Sequence, residues 1–243
     1  KRADLVLAVC PLIAERAAGS AASGRVHLTP DVAFAPGAID QHQVQNLREL
    51  CPQPGPISLY VGNLEAYQGI DLLLEAHAMI DASKRGNLLI IGGTEESIVA
   101  YQEKADYLGL RHHVRFLGQR PLDHLYFYLR QADILCSPRL KGVNTPMKIY
   151  SYMLAGRATL ATDIPSHSQV LDSASALLVE PDAIEMSEGW AYLIASPELR
   201  DELGHQAAAH AATHYSEKAF QDRLRDAYAV LNPPTPILRG MVA

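Results

Sequence analysis

From Ile57 onward the chain alternates short apolar runs with segments of helical spacing, and this restricts its fold more than any other feature. The apolar runs fall at 57–62, 88–92, 114–118, 134–137, 159–162 and 176–179. Helical segments are predicted between them at 70–80, 95–108, 122–131 and 145–155. Apolar runs this short are strands buried on both faces, and the helices between them supply the cover. Crossovers between parallel strands are right-handed, so a doubly wound, Rossmann-like α/β sheet is the expected fold class. Glycines close three of the runs: Gly62, Gly92 with Gly93, and Gly118. Those are the strand ends at which open α/β sheets bind ligands.

The flanks read differently. Residues 4–9 suggest a strand, 11–18 a helix and 26–29 a second strand, a piece too small to bury its own core. Residues 1–35 are therefore expected to be the remnant of an upstream domain, and the opening Lys1 in place of Met agrees. Residues 36–56 are rich in Pro and Gly and are expected to be a linker. The alternating domain takes 57–215. Helices are expected at 182–195, 197–215 and 216–231, the last capped by the Ser216 hydroxyl. The run N-P-P-T-P at 232–236 stops that helix, leaving 232–243 as a disordered tail.

Composition excludes several classes. A formal charge of −6 over 243 residues argues against a nucleic-acid binder. Three cysteines with no C-x-x-C spacing call for neither disulfides nor zinc, and fit a reducing, cytoplasmic setting. No apolar run is long enough to span a bilayer. His210 and His214 share a helix face, but no acidic third ligand accompanies them, so they read as surface histidines. No metal or cofactor is expected.

Four stretches, taken in order, resemble one family. They are I-S-L-Y-V-G-N-L-E-A-Y-Q-G-I-D-L-L-L-E-A at 57–76, V-R-F-L-G-Q at 114–119, A-D-I-L-C-S-P at 132–138, and G-V-N-T-P-M-K-I-Y-S-Y-M-L-A-G-R-A-T-L-A-T-D at 142–163. Their order and spacing resemble the bacterial group 1 glycosyltransferases of GT-B architecture. The resemblance implies that 57–215 holds a nucleoside-diphosphate sugar, with UDP-sugar the expected donor. It implies that 216–231 crosses back toward the N-terminal domain. The acceptor, whether a sugar, a lipid-linked molecule or a protein, would be bound by that upstream domain. Retention at the sugar carbon, a role in cell-surface polysaccharide synthesis and peripheral attachment at the inner membrane face are implied in the same way. The isolated fragment is expected to be inactive.

The residues around 142–152 supply the chemistry of a donor site. Asn144 or Thr145 is a natural N-cap, and Pro146 suits a first helical turn. A helix starting there aims its N–H groups and positive dipole end at a ligand. Gly142 is expected to let the backbone approach that ligand. Arg139, Lys141 and Lys148 bring three cations to the same end and are assigned the catalytic work of stabilising a departing diphosphate. By themselves these residues also fit a capped surface helix with solvated cations; their place after the fourth strand turns the reading to an anion site. By resemblance, Gly62, Asn63 and Gln68 meet the diphosphate, and Gly118, Gln119 and Arg120 meet the nucleobase, although the last three fit a plain turn equally well.

Two departures from the family pattern stand out. Its basic residues after the first loop glycine and before the second are Asn63 and Gln68 here. Its ribose-binding Glu is Ser151 here, and no acidic residue occurs from 134 to 162. A rearranged donor site in which Asn144, Lys148 and Ser151 take over is the preferred reading. The rivals are a non-catalytic nucleotide- or partner-binding domain and a UDP-sugar epimerase, which the acid-free stretch opposes.

Overall fold

The structure, a computed structural model, describes residues 3–19, 25–33 and 44–231. Six strands form one parallel sheet: β3 (Ile57–Val61), β4 (Asn87–Ile91), β5 (Val114–Gly118), β6 (Ile134–Ser137), β7 (Ala158–Thr162) and β8 (Leu177–Val179). Their order is β5-β4-β3-β6-β7-β8. The chain winds outward from β3 in one direction, then returns past it to β6 and winds the other way. The order therefore reverses between β3 and β6, and a crevice opens beyond their C-terminal ends.

Successive side chains on each strand feed opposite layers, as the pleat requires. Ile57 and Leu59 enter a core with Leu135, Tyr128 and Tyr152, while Tyr60, Leu88, Ile90 and Cys136 enter the one on the other face. The helices α3 (Ile70–Met79), α4 (Glu95–Tyr107) and α8 (Ala183–Ala195) cover the second face. The helices α5 (Leu125–Gln131) and α6 (Met147–Ala155) cover the first, and α9 (Pro197–His214) packs on α6 and β7. Trp190 of α8 is fully buried, stacks on His77 at 4.6 Å and donates its indole N–H to the Ser58 hydroxyl at 2.7 Å. That bond pins the helical layer to the central strand.

The expected elements lie within three residues of their observed bounds. α10 (Glu217–Ala229) begins where the Ser216 hydroxyl accepts from the Ala219 amide. The N-terminal piece is β1 (Val6–Ala8), α1 (Pro11–Ala18) and β2 (Val26–Leu28), with β1 and β2 forming a separate parallel pair. The expected linker at 36–56 falls partly outside the described residues. Its described part is packed: α2 (Leu47–Leu50) buries Leu47 completely, and the Leu47 amide donates to Gln131 at 2.7 Å. An apolar residue at 47 and a polar anchor at 131 thus tie this segment to α5. A second unexpected element, α7 (Pro165–Ser168), follows β7. The expected tail at 232–243 lies outside the described residues. Among the described residues no helix is long and apolar enough to cross a membrane.

Candidate functional site

Two loops meet at the crevice. The first runs from Gly62 to Gly69 after β3; the second runs from Pro138 to Pro146 after β6. They are joined directly, the Leu140 amide donating to the Tyr67 carbonyl at 2.9 Å. Gly69 has φ +76 and lies against the Pro138 carbonyl, where a Cβ would collide with backbone. No other residue fits that junction without moving one of the loops.

Lys148 and Arg139 come together at this junction, each beside an aromatic ring. The Lys148 ammonium lies 4.2 Å from the Tyr60 ring centroid and donates to Gln68 Oε1 at 3.2 Å. The Arg139 guanidinium lies 5.4 Å from the Tyr67 centroid. Ring faces attract cations and hold them in place without neutralising them. Burial first, and the Arg139 charge second, push Lys148 from 10.5 down to about 7. A group so placed gains much from an anion, which would restore its ordinary proton affinity.

Arg139 does more than present charge. Its Nε donates to the Lys141 carbonyl at 2.9 Å, and its Nη1 donates to the Asn144 carbonyl at 3.2 Å. It therefore folds its own loop around itself and is only 8% exposed. Gly142 is explained by the same arrangement. With φ +149, it has the guanidinium where a side chain would be. The structure thus gives Gly142 a second reason beside the expected approach to a ligand: it makes room for Arg139. Lys141 itself is exposed.

The expected cap of α6 is corrected as well. Neither Asn144 nor Thr145 caps the helix; the N-cap is Pro146, with no side-chain hydrogen bond. Asn144 is occupied by Arg139, and the Thr145 hydroxyl accepts from Gln169 Nε2 at 2.9 Å. The first turn of α6 is thus left without a side-chain cap at the crevice, which suits an anion better than the expected arrangement. Ser151 is 3% exposed, turned inward on a helix buried on nearly every side.

Beside the junction, at the ends of β3, β4 and β5, is a cavity of about 520 Å³. Gly62, Asn63, Glu65, Thr94, Gln119 and Arg120 are among its lining residues. It brings together the two loops that the resemblance assigned separately, and adds the capped N-terminus of α4. Ser151 and Gly118 are not among its lining residues.

Several residues around the site were not singled out in the sequence: Tyr60 and Tyr67 beside the cations, Glu65 and Thr94 in the cavity wall, Gln169 on the loop, and His167. His167 of α7 is fully buried behind the second loop. Its Nε2 lies 2.9 Å from Ser137 Oγ, and its Nδ1 lies 2.8 Å from the Thr162 carbonyl. Burial, with Lys148 and Arg139 adding to it, lowers it to about 4 against the partly offsetting bond to Thr162. The signal available was a polar Ser-His pair a few residues past the end of an apolar strand.

A family model described as glycosyl transferases group 1 matches residues 46–210. Phosphatidyl-myo-inositol mannosyltransferase of Mycobacterium leprae is 24% identical over 207 residues, covering 83% of this chain and 54% of that protein. Sucrose-phosphate synthase from Thermosynechococcus elongatus superposes with a TM-score of 0.79 at 22% identity, over 96% of this chain and 60% of that one. Anabaena HepE, in a crystal structure with UDP, superposes with a TM-score of 0.78 at 15% identity, over 93% of this chain and 64% of that one. The chain spans about half the length of the curated relatives it matches. The family match takes in the whole six-stranded sheet and both crevice loops, and by it this chain belongs to the group 1 glycosyl transferases.

Proposed function

We propose that this chain is the donor-binding half of a glycosyltransferase that uses a UDP-sugar, and that the diphosphate binds where Lys148, Arg139 and the uncapped start of α6 converge. That convergence at the sheet's reversal point carries the reading. The adjoining cavity suits a nucleoside, with Gln119 and Arg120 at its far wall. The UDP bound to HepE, a protein of similar fold, supports the choice of nucleotide. In the reaction, the bond from the sugar's anomeric carbon to the β-phosphate oxygen breaks. A bond from that carbon to an acceptor hydroxyl oxygen forms, and the hydroxyl proton passes to the leaving phosphate. Lys148 stabilises the charge that develops on that phosphate, with Lys141 near the exposed mouth. Retention at carbon and a role in cell-surface polysaccharide remain part of this proposal, as does a cytoplasmic location at the inner membrane face.

The piece at 1–35 is taken as the remnant of the acceptor-binding domain. Its separate two-stranded sheet supports this. A second reading, a domain that binds nucleotide without catalysis, is favoured by the neutral Asn63 and Gln68 and by the burial of Ser151. Calorimetric titration of the chain with UDP, GDP and ADP tests the binding step. Saturable binding of UDP, lost in Lys148→Ala, is expected; preference for another nucleotide overturns the donor assignment. Donor hydrolysis by a longer chain that includes the acceptor half distinguishes transfer from binding alone.

A further inference from the structure

We propose that His167 and Gln169, two residues apart on the turn after β7, are positioning residues that hold the donor loop at 139–145; this rests on that loop being where the diphosphate binds. Neither residue faces the cavity beside the loop. Both reach the loop from behind, one at each end.

The His167 contacts fix the direction of every proton in the chain of bonds. The Thr162 carbonyl can only accept, so His167 Nδ1 carries the hydrogen and donates to it at 2.8 Å. In the neutral ring Nε2 is then bare, and the Ser137 hydroxyl donates to it at 2.9 Å. The Thr162 hydroxyl donates in turn to the Arg139 carbonyl. Ser137, Thr162 and His167 are all fully buried. The result is a closed set that joins the ends of β6 and β7 and grips the peptide at Arg139. A serine hydroxyl donating to an oriented histidine is also the form of a nucleophile with its base, but complete burial of both keeps substrate away from this pair. Their role is to hold.

Gln169 grips the other end. Its amide nitrogen donates to the Val143 carbonyl at 3.0 Å and to the Thr145 hydroxyl at 2.9 Å. Its amide oxygen accepts a long bond from the Leu12 amide of α1 at 3.5 Å, and the Cys10 thiol donates to the same Val143 carbonyl at 3.4 Å. Between these anchors, Arg139 fills the loop from inside. A loop held at 139, 143 and 145 has little freedom left, and a preorganised loop does not have to reorganise when the diphosphate arrives. The groups facing His167 are Lys148 and Arg139, both cationic, so protonating it would add a third charge and break the bond from Ser137.

Three readouts on the 243-residue chain test this. Amide hydrogen exchange at 139–145 is expected to quicken in His167→Ala and in Gln169→Ala, with β3 to β5 unchanged. In calorimetry, His167→Ala is expected to weaken UDP by about tenfold and uridine by less than about twofold. His167→Asn, whose amide can still donate to the Thr162 carbonyl, recovers most of that loss. Nitrogen-15 NMR of the native ring is expected to show the neutral Nδ1-protonated form at pH 5.5. Unchanged exchange at 139–145, equal loss of UDP and uridine, or a ring protonated on Nε2 overturns the proposal. If the native chain binds no nucleotide, the donor-site reading fails, and the exchange and NMR results still decide whether His167 holds the loop. If His167→Ala does not fold, the NMR of the native ring and the Asn variant decide.

Discussion

At the proposed donor site, Lys148 would make nucleotide binding a proton-linked event. In the free chain burial and the Arg139 charge hold its ammonium down at about 7, so above that pH the side chain is mostly neutral. A diphosphate seated against it raises its proton affinity again. The bound state therefore holds a proton that the free state has lost, and affinity must fall as pH rises above 7. Each unit above the free pKa costs about tenfold, so between pH 6 and pH 9 the affinity for UDP is expected to drop on the order of 100-fold, or ~2.7 kcal/mol. UDP's own terminal phosphate ionises near about 6 and contributes little over the upper part of that range. Calorimetry at several pH values, each in two buffers of different ionisation enthalpy, gives the affinity and the protons taken up. Uptake should approach one proton per UDP near pH 9. Lys148→Arg, which stays charged throughout, should bind UDP with a flat profile. Measurable UDP binding that does not change between pH 6 and 9, or the same slope in Lys148→Ala, would refute the reasoning. The free chain shows the reverse face of this linkage. Between pH 7 and 10.5 its unfolded state binds the proton that the folded state has released, so Lys148 makes stability rise with pH there.

His77 is fully buried, and burial first, with the Arg85 charge adding to it, lowers it to about 3. His77 should cost ~1.4 kcal/mol of stability per unit as pH drops below 6.5, beside a like contribution from His167, and His77→Leu should remove its own share of the slope in urea titrations at pH 6.5 and 4.5; a slope that is no smaller in His77→Leu than in the native chain contradicts this. Trp190→Phe strands the Ser58 hydroxyl and opens space in the core, for an expected loss of ~2–4 kcal/mol by far-UV dichroism in urea, and less than ~1 would show that the layer is held elsewhere. Gly142→Ala puts a methyl group where the Arg139 guanidinium lies and strains a φ of +149. About tenfold weaker UDP binding and ~1–3 kcal/mol lower stability are expected, and native affinity in that variant would remove Arg139 from the site.

The sheet was legible because β3, β4 and β6 are apolar at nearly every position, which only a strand covered on both faces tolerates. The two four-residue helices, α2 and α7, were not. A single turn has no period to detect, and both are held by side chains far away in sequence, Gln131 and Ser137. The three cations were visible as a cluster, but not that Arg139 would spend its donors on its own loop. Asn144 and Thr145 carry capping chemistry and use it on Arg139 and Gln169 instead, a choice that depends on which partner is nearer. Ser151 aligned with a ligand position and turned inward because its neighbours Tyr150 and Tyr152 are both buried.

The link between α8 and β3 also makes the protein its own reporter. The chain has one tryptophan, so all of its indole emission comes from a single buried place, stacked on an imidazole and bonded to the strand that ends at Val61. A protonated imidazole at that distance would quench the indole, and a neutral one does not. Emission should therefore stay blue-shifted and bright in mild acid until the helical layer lifts from the sheet. Brightness then counts molecules in which that layer is still seated, with no label and no second tryptophan to subtract.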